Sequence, residues 1–391
     1  MRHRVFDIGL VTLSLTLAVI VGCQNVFADG HGRSAEETAK LIDQGRYLAM
    51  IGVCEACHTP PAVPNAPPDP LDSDEIAKER RFRADPDWFQ YLDGERQLAG
   101  GVSFVLRFSA DSSGIVHTSN LTPDPETGLG TWTEDEIVEV IRSGKRKDGS
   151  ALFRFPPHTF YEFLAEKDAR ALAVYLQSLR PVRHAILPRS LPFPVAPAES
   201  VPSLKNPPEG RTRDRAAYLM RALVGCRECH SYSKSPTELV SFVGGDPSDA
   251  FGGVFRFGPD LPLRQTDKGW ATFPYPGYAV LYGSNLTEFG LYGPLAYVPA
   301  KDIVRAMRRG IAPHPDADGR PKLLAHVMMW QFYRHMADDD AYAIAEYVKS
   351  LRYVPHEIGP RLTYFGEDWE AAFKQVFGEE PSENDRRIFG K

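Results

Sequence analysis

Gly45-Arg-Tyr-Leu-Ala-Met-Ile-Gly-Val-Cys54-Glu-Ala-Cys57-His58 is followed 172 residues later by a second version of itself, Ala217-Tyr-Leu-Met-Arg-Ala-Leu-Val-Gly-Cys226-Arg-Glu-Cys229-His230. Ser119-Asn120-Leu121-Thr122 returns as Ser284-Asn285-Leu286-Thr287, and Tyr175-Leu-Gln-Ser-Leu-Arg180 as Tyr347-Val-Lys-Ser-Leu-Arg352, in the same order. Self-similarity at a long fixed period means one structural unit used twice. Between the copies, residues 180–211 carry eight prolines, a composition that stiffens a linker and prevents a helix from running through it. The pattern divides the chain into units at 34–182 and 212–356, a Pro-rich linker at 183–211 and a C-terminal tail at 357–391.

Each copy reads as three amphipathic helices. The first leads into the cysteines, with Tyr47, Leu48 and Ile51 as its apolar stripe. The second starts at Thr133, an N-cap with Glu136 three residues on, turns Ile137, Val140 and Ile141 inward and stops at Gly144. Its counterpart offers Ile303, Val304 and Met307, with Gly310 as the stop. The last helix repeats Leu172, Tyr175, Leu176 and Leu179 as Ile344, Tyr347, Val348 and Leu351. Strand signals are weak, at Val102–Phe108 and Gly253–Phe257, and predict short ribbons. The fold class expected is therefore mainly α.

Two cysteines three apart at a helix end present both sulfurs to the vinyl groups of one haem, and a histidine directly after them reaches the iron from the same side. A redox dithiol or a zinc centre would also use Cys-x-x-Cys. The histidine after each pair and the repeated placement favour haem. Cys54 and Cys57 then carry one covalently bound haem c, and Cys226 and Cys229 a second. His58 and His230 are the proximal ligands. Four of the five cysteines are absorbed in this way.

The fifth, Cys23, belongs to the address of the chain. Met1 to Arg4 are basic, Ile8 to Gly22 are almost wholly apolar and small residues follow, which is the layout of an export signal over residues 1–28. An apolar run of about 15 residues is short of the roughly 20 that a membrane span needs. Ile20-Val21-Gly22-Cys23 fits a lipoprotein box, with Cys23 the acylated residue and a membrane anchor. Val26-Phe27-Ala28 fits ordinary cleavage and release. Either exit predicts a periplasmic protein. With 43% hydrophobic and 25% charged residues the chain is globular. Acidic residues outnumber basic ones by 51 to 45 with no basic run, so nucleic acid is not an expected partner.

Gly45-Arg-Tyr-Leu-Ala, Cys54-Glu-Ala-Cys-His-Thr59, Ser119-Asn-Leu-Thr-Pro-Asp-Pro-Glu-Thr-Gly128, Asp148-Gly149 and Ala171 to Val182 resemble the cytochrome c subunits of bacterial membrane-bound alcohol, gluconate and related dehydrogenases. The resemblance implies two tandem class I cytochrome c domains joined by the Pro-rich linker. Subunits of that family carry three haem motifs, whereas this chain has two. The family places an axial methionine in the loop before the last helix. Counting back twelve residues from Asp340 and Asp168 reaches Met328 in the second copy and Pro156 in the first, with Tyr333 and Tyr161 in register. Met328 is the expected sixth ligand of the second haem; Met329 and His326 are its alternatives, and core packing is the ordinary use of methionine. For the first haem, His158 in Phe155-Pro156-Pro157-His158 is the candidate, beside an open iron or His117. Asn120 and Asn285 are candidate haem-pocket residues, although capping a turn is the commoner use of asparagine.

These readings predict a dihaem electron carrier. It would accept single electrons from a dehydrogenase or quinol-oxidising complex and deliver them to another cytochrome or an oxidase. The missing methionine of the first copy supports an alternative, a dihaem peroxidase or small-molecule oxidoreductase with the first haem catalytic.

Overall fold

Thr133 and Glu136 form the capping box their spacing predicts. Glu136 N–H donates to Thr133 Oγ1 at 3.2 Å, and Thr133 N–H donates to Glu136 Oε2 at 2.8 Å. Our computed structural model describes residues 32–60, 92–109, 111–153, 161–197, 201–235, 238–245, 254–257, 263–266, 269–272, 277–315, 328–358 and 362–365, with isolated positions among the rest. The expected export signal, with Cys23, lies outside the described residues. No helix among those described is long and apolar enough to cross a membrane.

Residues 1–39 and 40–391 form two compact units. Ser34 and Glu37 of the first make a reciprocal capping box that opens α1 (Ala35–Ile51), whose residues from Lys40 onward belong to the second. The second unit holds the remaining helices: α2 (Cys54–His58), α3 (Glu134–Ser143), α4 (Glu166–Gln177), α5 (Arg213–Ala222), α6 (Cys226–Cys229), α7 (Ala300–Arg309), α8 (Trp330–Tyr333) and α9 (Asp338–Ser350). The predicted stripes are the buried ones. Ile137 of α3, Leu172 and Leu176 of α4, Ile303 and Met307 of α7, and Ile344 and Val348 of α9 all join one hydrophobic cluster that draws on both copies, and Val140 of α3 is buried as well. Gly144 and Gly310 end α3 and α7 in the left-handed region, at φ 74° and 65°. At Gly45 a Cβ would lie 2.0 Å from the Ala171 carbonyl oxygen, so α1 and α4 cross with their backbones in near contact.

The strands are more extensive than the expected ribbons. β1 (Val102–Ser109) pairs antiparallel with β2 (Ser112–His117) and also with β6 (Leu263–Thr266), which pairs with β7 (Gly269–Thr272). β3 (Tyr232–Ser235) pairs with β4 (Glu238–Val240). β8 (Gly277–Tyr282) lies between β5 (Val254–Phe257) and β9 (Leu362–Phe365). β9 belongs to the segment read as a tail. Its partner sits some 85 residues back along the chain, and pairing at that range leaves no local period to read.

The two copies are tied reciprocally. Tyr47 on α1 donates its hydroxyl to Asp340 Oδ2 at 2.7 Å, at the start of α9, and accepts from Ala337 N–H at 3.2 Å. Tyr218 on α5 donates to Asp168 Oδ2 at 2.7 Å, at the start of α4, and accepts from Ala165 N–H at 3.1 Å. Each first helix grips the last helix of the other copy, the exchange that defines a two-fold pair.

Candidate haem attachment sites

α2 and α6 are short because each follows a left-handed residue, Val53 at φ 53° and Gly225 at φ 64°, which turns the chain sharply out of the preceding helix. The turn brings both cysteines of each motif against the core. All four thiols are free, and burial pushes each of them up to about 12. That is the reverse of a redox dithiol, whose attacking thiol is depressed. Among the described residues no three His, Cys, Asp or Glu side chains converge on a metal-sized centre, so the two motifs do not share one zinc ion. Paired neutral thiols beside one imidazole fit the thioether attachment of a haem.

The imidazoles are held for ligation. His58 Nδ1–H donates to the Ser119 carbonyl at 2.7 Å, and His230 Nδ1–H to the Ser284 carbonyl at 2.8 Å. Burial lowers both histidine pKa values, opposed in part by these bonds. With Nδ1 committed as a donor, Nε2 carries the free lone pair, the arrangement that orients a metal-bound histidine.

The repeated Ser-Asn-Leu-Thr therefore acts through its serine carbonyl. Asn120 and Asn285, read as haem-pocket candidates, spend their amides inside the protein. Asn120 Nδ2 donates to Val182 O at 2.8 Å while its Oδ1 accepts from Thr122 N–H and Oγ1 at 3.0 and 2.8 Å. Asn285 does the same with Val354 at 3.0 Å and Thr287 at 3.0 and 2.6 Å. Each asparagine thus straps the chain that leaves the last helix to the turn behind the proximal histidine.

A second repeated device escapes sequence reading. Leu98 and Phe242 are non-glycine residues in the left-handed region, at φ 58° and 67°. Thr59 Oγ1 accepts from Leu98 N–H at 3.0 Å, and Ser231 Oγ from Phe242 N–H at 2.9 Å. The next turn closes on the histidine itself: Gly100 N–H donates to His58 O at 2.6 Å and Gly244 N–H to His230 O at 2.9 Å. These equivalents sit 40 residues past the histidine in one copy and 12 in the other, so no fixed period finds them. His184 and His356 do keep the 172-residue period. The first bonds Ala99 O through Nδ1 at 3.0 Å and the second stacks on Tyr232.

Beside the thiols stand Tyr161 and Tyr333. Their hydroxyls donate to Gly52 O at 2.9 Å and Val224 O at 2.8 Å. Burial, and next the neighbouring thiols, raise both phenols well above the ordinary tyrosine value. Met328 and Met329 are partly buried against the same core, Met329 at φ 60° as it turns into α8. Two residues past Met329, the Gln331 amide has both its nitrogen and its oxygen buried without a hydrogen-bond partner among the described residues, which fits a site completed by a further polar group. Phe155 to His158 and His326 lie outside the described residues. His117 closes β2, half-buried, with a hydrogen bond to the Pro188 backbone.

Two Cys-x-x-Cys-His turns, each with its imidazole steered by a backbone carbonyl, supply the residues that would hold two covalently bound haem c groups. No family model matches the chain. It is similar to the cytochrome c subunit of the quinone-dependent alcohol dehydrogenase of Gluconobacter oxydans, 25% identical over 87% of this chain and 60% of that subunit. The gluconate 2-dehydrogenase cytochrome c subunit of Pantoea cypripedii is 24% identical over 86% of this chain and 64% of its own length. A dihaem c-type cytochrome of Cereibacter sphaeroides is 28% identical over 56% of this chain and 69% of its own. The chain spans less than two thirds of the length of the two dehydrogenase subunits.

Proposed function

We propose that this chain is a periplasmic dihaem electron carrier, built as two tandem class I cytochrome c domains. It takes single electrons from a dehydrogenase or quinol-oxidising complex and passes them to a downstream cytochrome or oxidase. The observation that carries the proposal is the doubled geometry of buried paired thiols beside an imidazole whose Nδ1 is already spent on a backbone carbonyl. Haem bound there supplies one-electron chemistry at its iron.

The chain's own residues do the rest. Cys54 with Cys57, and Cys226 with Cys229, would hold the two groups by thioether bonds, and His58 and His230 would ligate through Nε2. Met328 would supply the sixth ligand of the second site, and the sequence offers His158, outside the described residues, for the first. A thioether ligand favours the reduced iron more than an imidazole does, so such a pair would make the second site the more oxidising of the two. The formal charge of −6, deepened by the propionates, suits a partner with a basic docking face and a salt-sensitive association. Acylation of Cys23 would keep the carrier at the membrane, beside a membrane-bound dehydrogenase.

The proposal is tested on protein matured in a host that attaches c-type haem. A pyridine haemochrome assay should return two haems per chain, and one in the double variant Cys226→Ala with Cys229→Ala. Fewer than two in the wild type refutes it. Low-temperature electron paramagnetic resonance assigns the axial pairs: His158→Ala should convert the first site from low to high spin, and Met328→Ala should alter only the second.

A further inference from the structure

The cysteine-bearing ends of the two copies meet. A Cβ placed on Gly52, two residues before Cys54, would lie 2.9 Å from Leu223 Cδ1, three residues before Cys226. Leu223 is 1% exposed, so the contact is sealed from water. Beside it the Arg221 guanidinium lies 3.6 Å over the Phe163 ring, joining α5 to the turn that carries Tyr161. Tyr161 bonds Gly52 O and the Cys54 thiol, while Tyr333 bonds Val224 O on the other side of the same seam. The reciprocal Tyr47–Asp340 and Tyr218–Asp168 bonds clamp the helices on either side.

We propose that the two haem sites form one coupled pair whose thioether edges face each other across this seam, with Gly52, Leu223, Tyr161 and Tyr333 filling the gap. The inference rests on the dihaem reading above and adds to it which edges meet. A side chain at Gly52 would meet both the Leu48 carbonyl oxygen, at 2.8 Å from a Cβ, and Leu223, and the two tyrosines brace the backbone carbonyls that precede each attachment turn. Exchange between the sites then moves one electron, oxidising one iron as the other is reduced. No bond breaks and no proton moves, since both phenols stay protonated donors. The seam makes the chain a two-electron store that need not reorient between loading and delivery.

Soret circular dichroism of the wild-type holoprotein reads the pairing directly, because two nearby identical transitions mix into a bisignate couplet. The fully oxidised and fully reduced forms should each show a couplet, which collapses at half reduction when the two bands no longer coincide. A half-reduced spectrum equal to the average of the two end states, in protein carrying two haems, overturns the seam and leaves the dihaem reading standing. A haem count below two would sink that reading instead. In Gly52→Leu the added side chain must displace Leu223, so the couplet should lose amplitude with both haems retained. An undiminished couplet in that variant would remove Gly52 from the interface.

Discussion

Tyr161 and Tyr333 each donate to one buried carbonyl just ahead of an attachment turn. Replacing either with phenylalanine keeps the ring and orphans that carbonyl, a loss of about 1–3 kcal/mol. Urea unfolding of Tyr333→Phe should show the lower midpoint with two haems still attached; an unchanged midpoint would mean the carbonyl finds another donor. This pair was readable from the sequence, since both tyrosines stand at the same count before Asp168 and Asp340. So were the two Cys-x-x-Cys-His turns, which are written in contiguous residues. The steering groups were not. Ser119 and Ser284 act through backbone carbonyls, which carry no residue signature. Leu98 and Phe242 adopt a conformation that sequence disfavours, at spacings the insertions make unequal. Such a backbone is held only because a side-chain hydroxyl and the turn behind the histidine over-determine it. Thr59→Ala removes that hydroxyl from Leu98 N–H, a buried donor, and should cost about 1–3 kcal/mol, measured in the same unfolding assay.

At the level of elements, the helices and the two ribbons that became β1 and β5 were legible, and the sheets they join were not. The capping box, glycine stops and apolar stripes of α3 and α7 are local features, and each appears where its spacing puts it. The sheet joining β1 of the first copy to β6 of the second depends on partners about 160 residues apart, for which alternation within a strand gives no sign. The crossing of α1 and α4 falls between these cases. Gly45 reads as a weak spot in a helix, yet its missing Cβ lets the helices meet at the Ala171 carbonyl. Alanine there improves helix propensity by roughly 1 kcal/mol and overpacks the crossing by about 1–3 kcal/mol. With a contact of 2.0 Å against rigid backbone the second effect wins. Gly45→Ala should therefore lower Tm, whereas the exposed Gly149, at φ 82° with open space around it, should tolerate alanine with only the strain of its turn.

Across the whole molecule the two-fold relation is broken at one buried position. Arg215 donates to both carboxylate oxygens of Asp340, at 2.8 and 3.0 Å, where its counterpart Gln44 gives Asp168 a single neutral bond at 2.6 Å. Removing Arg215 strands a buried carboxylate, so Arg215→Ala should cost about 3–5 kcal/mol, well beyond Gln44→Ala. The same asymmetry sets a pH dependence. Burial raises the Asp168 pKa, opposed by the Tyr218 bond and by the charge of Arg215. A carboxyl whose folded pKa exceeds its unfolded value of about 3.9 stabilises most when protonated, below that value. The contribution fades as pH rises through the folded pKa. Asp168→Asn cannot ionise, so its stability relative to wild type should climb as pH increases from 3 towards neutrality, and then level off. A difference that stays flat over that range would show that Asp168 titrates alike in the folded and unfolded chain.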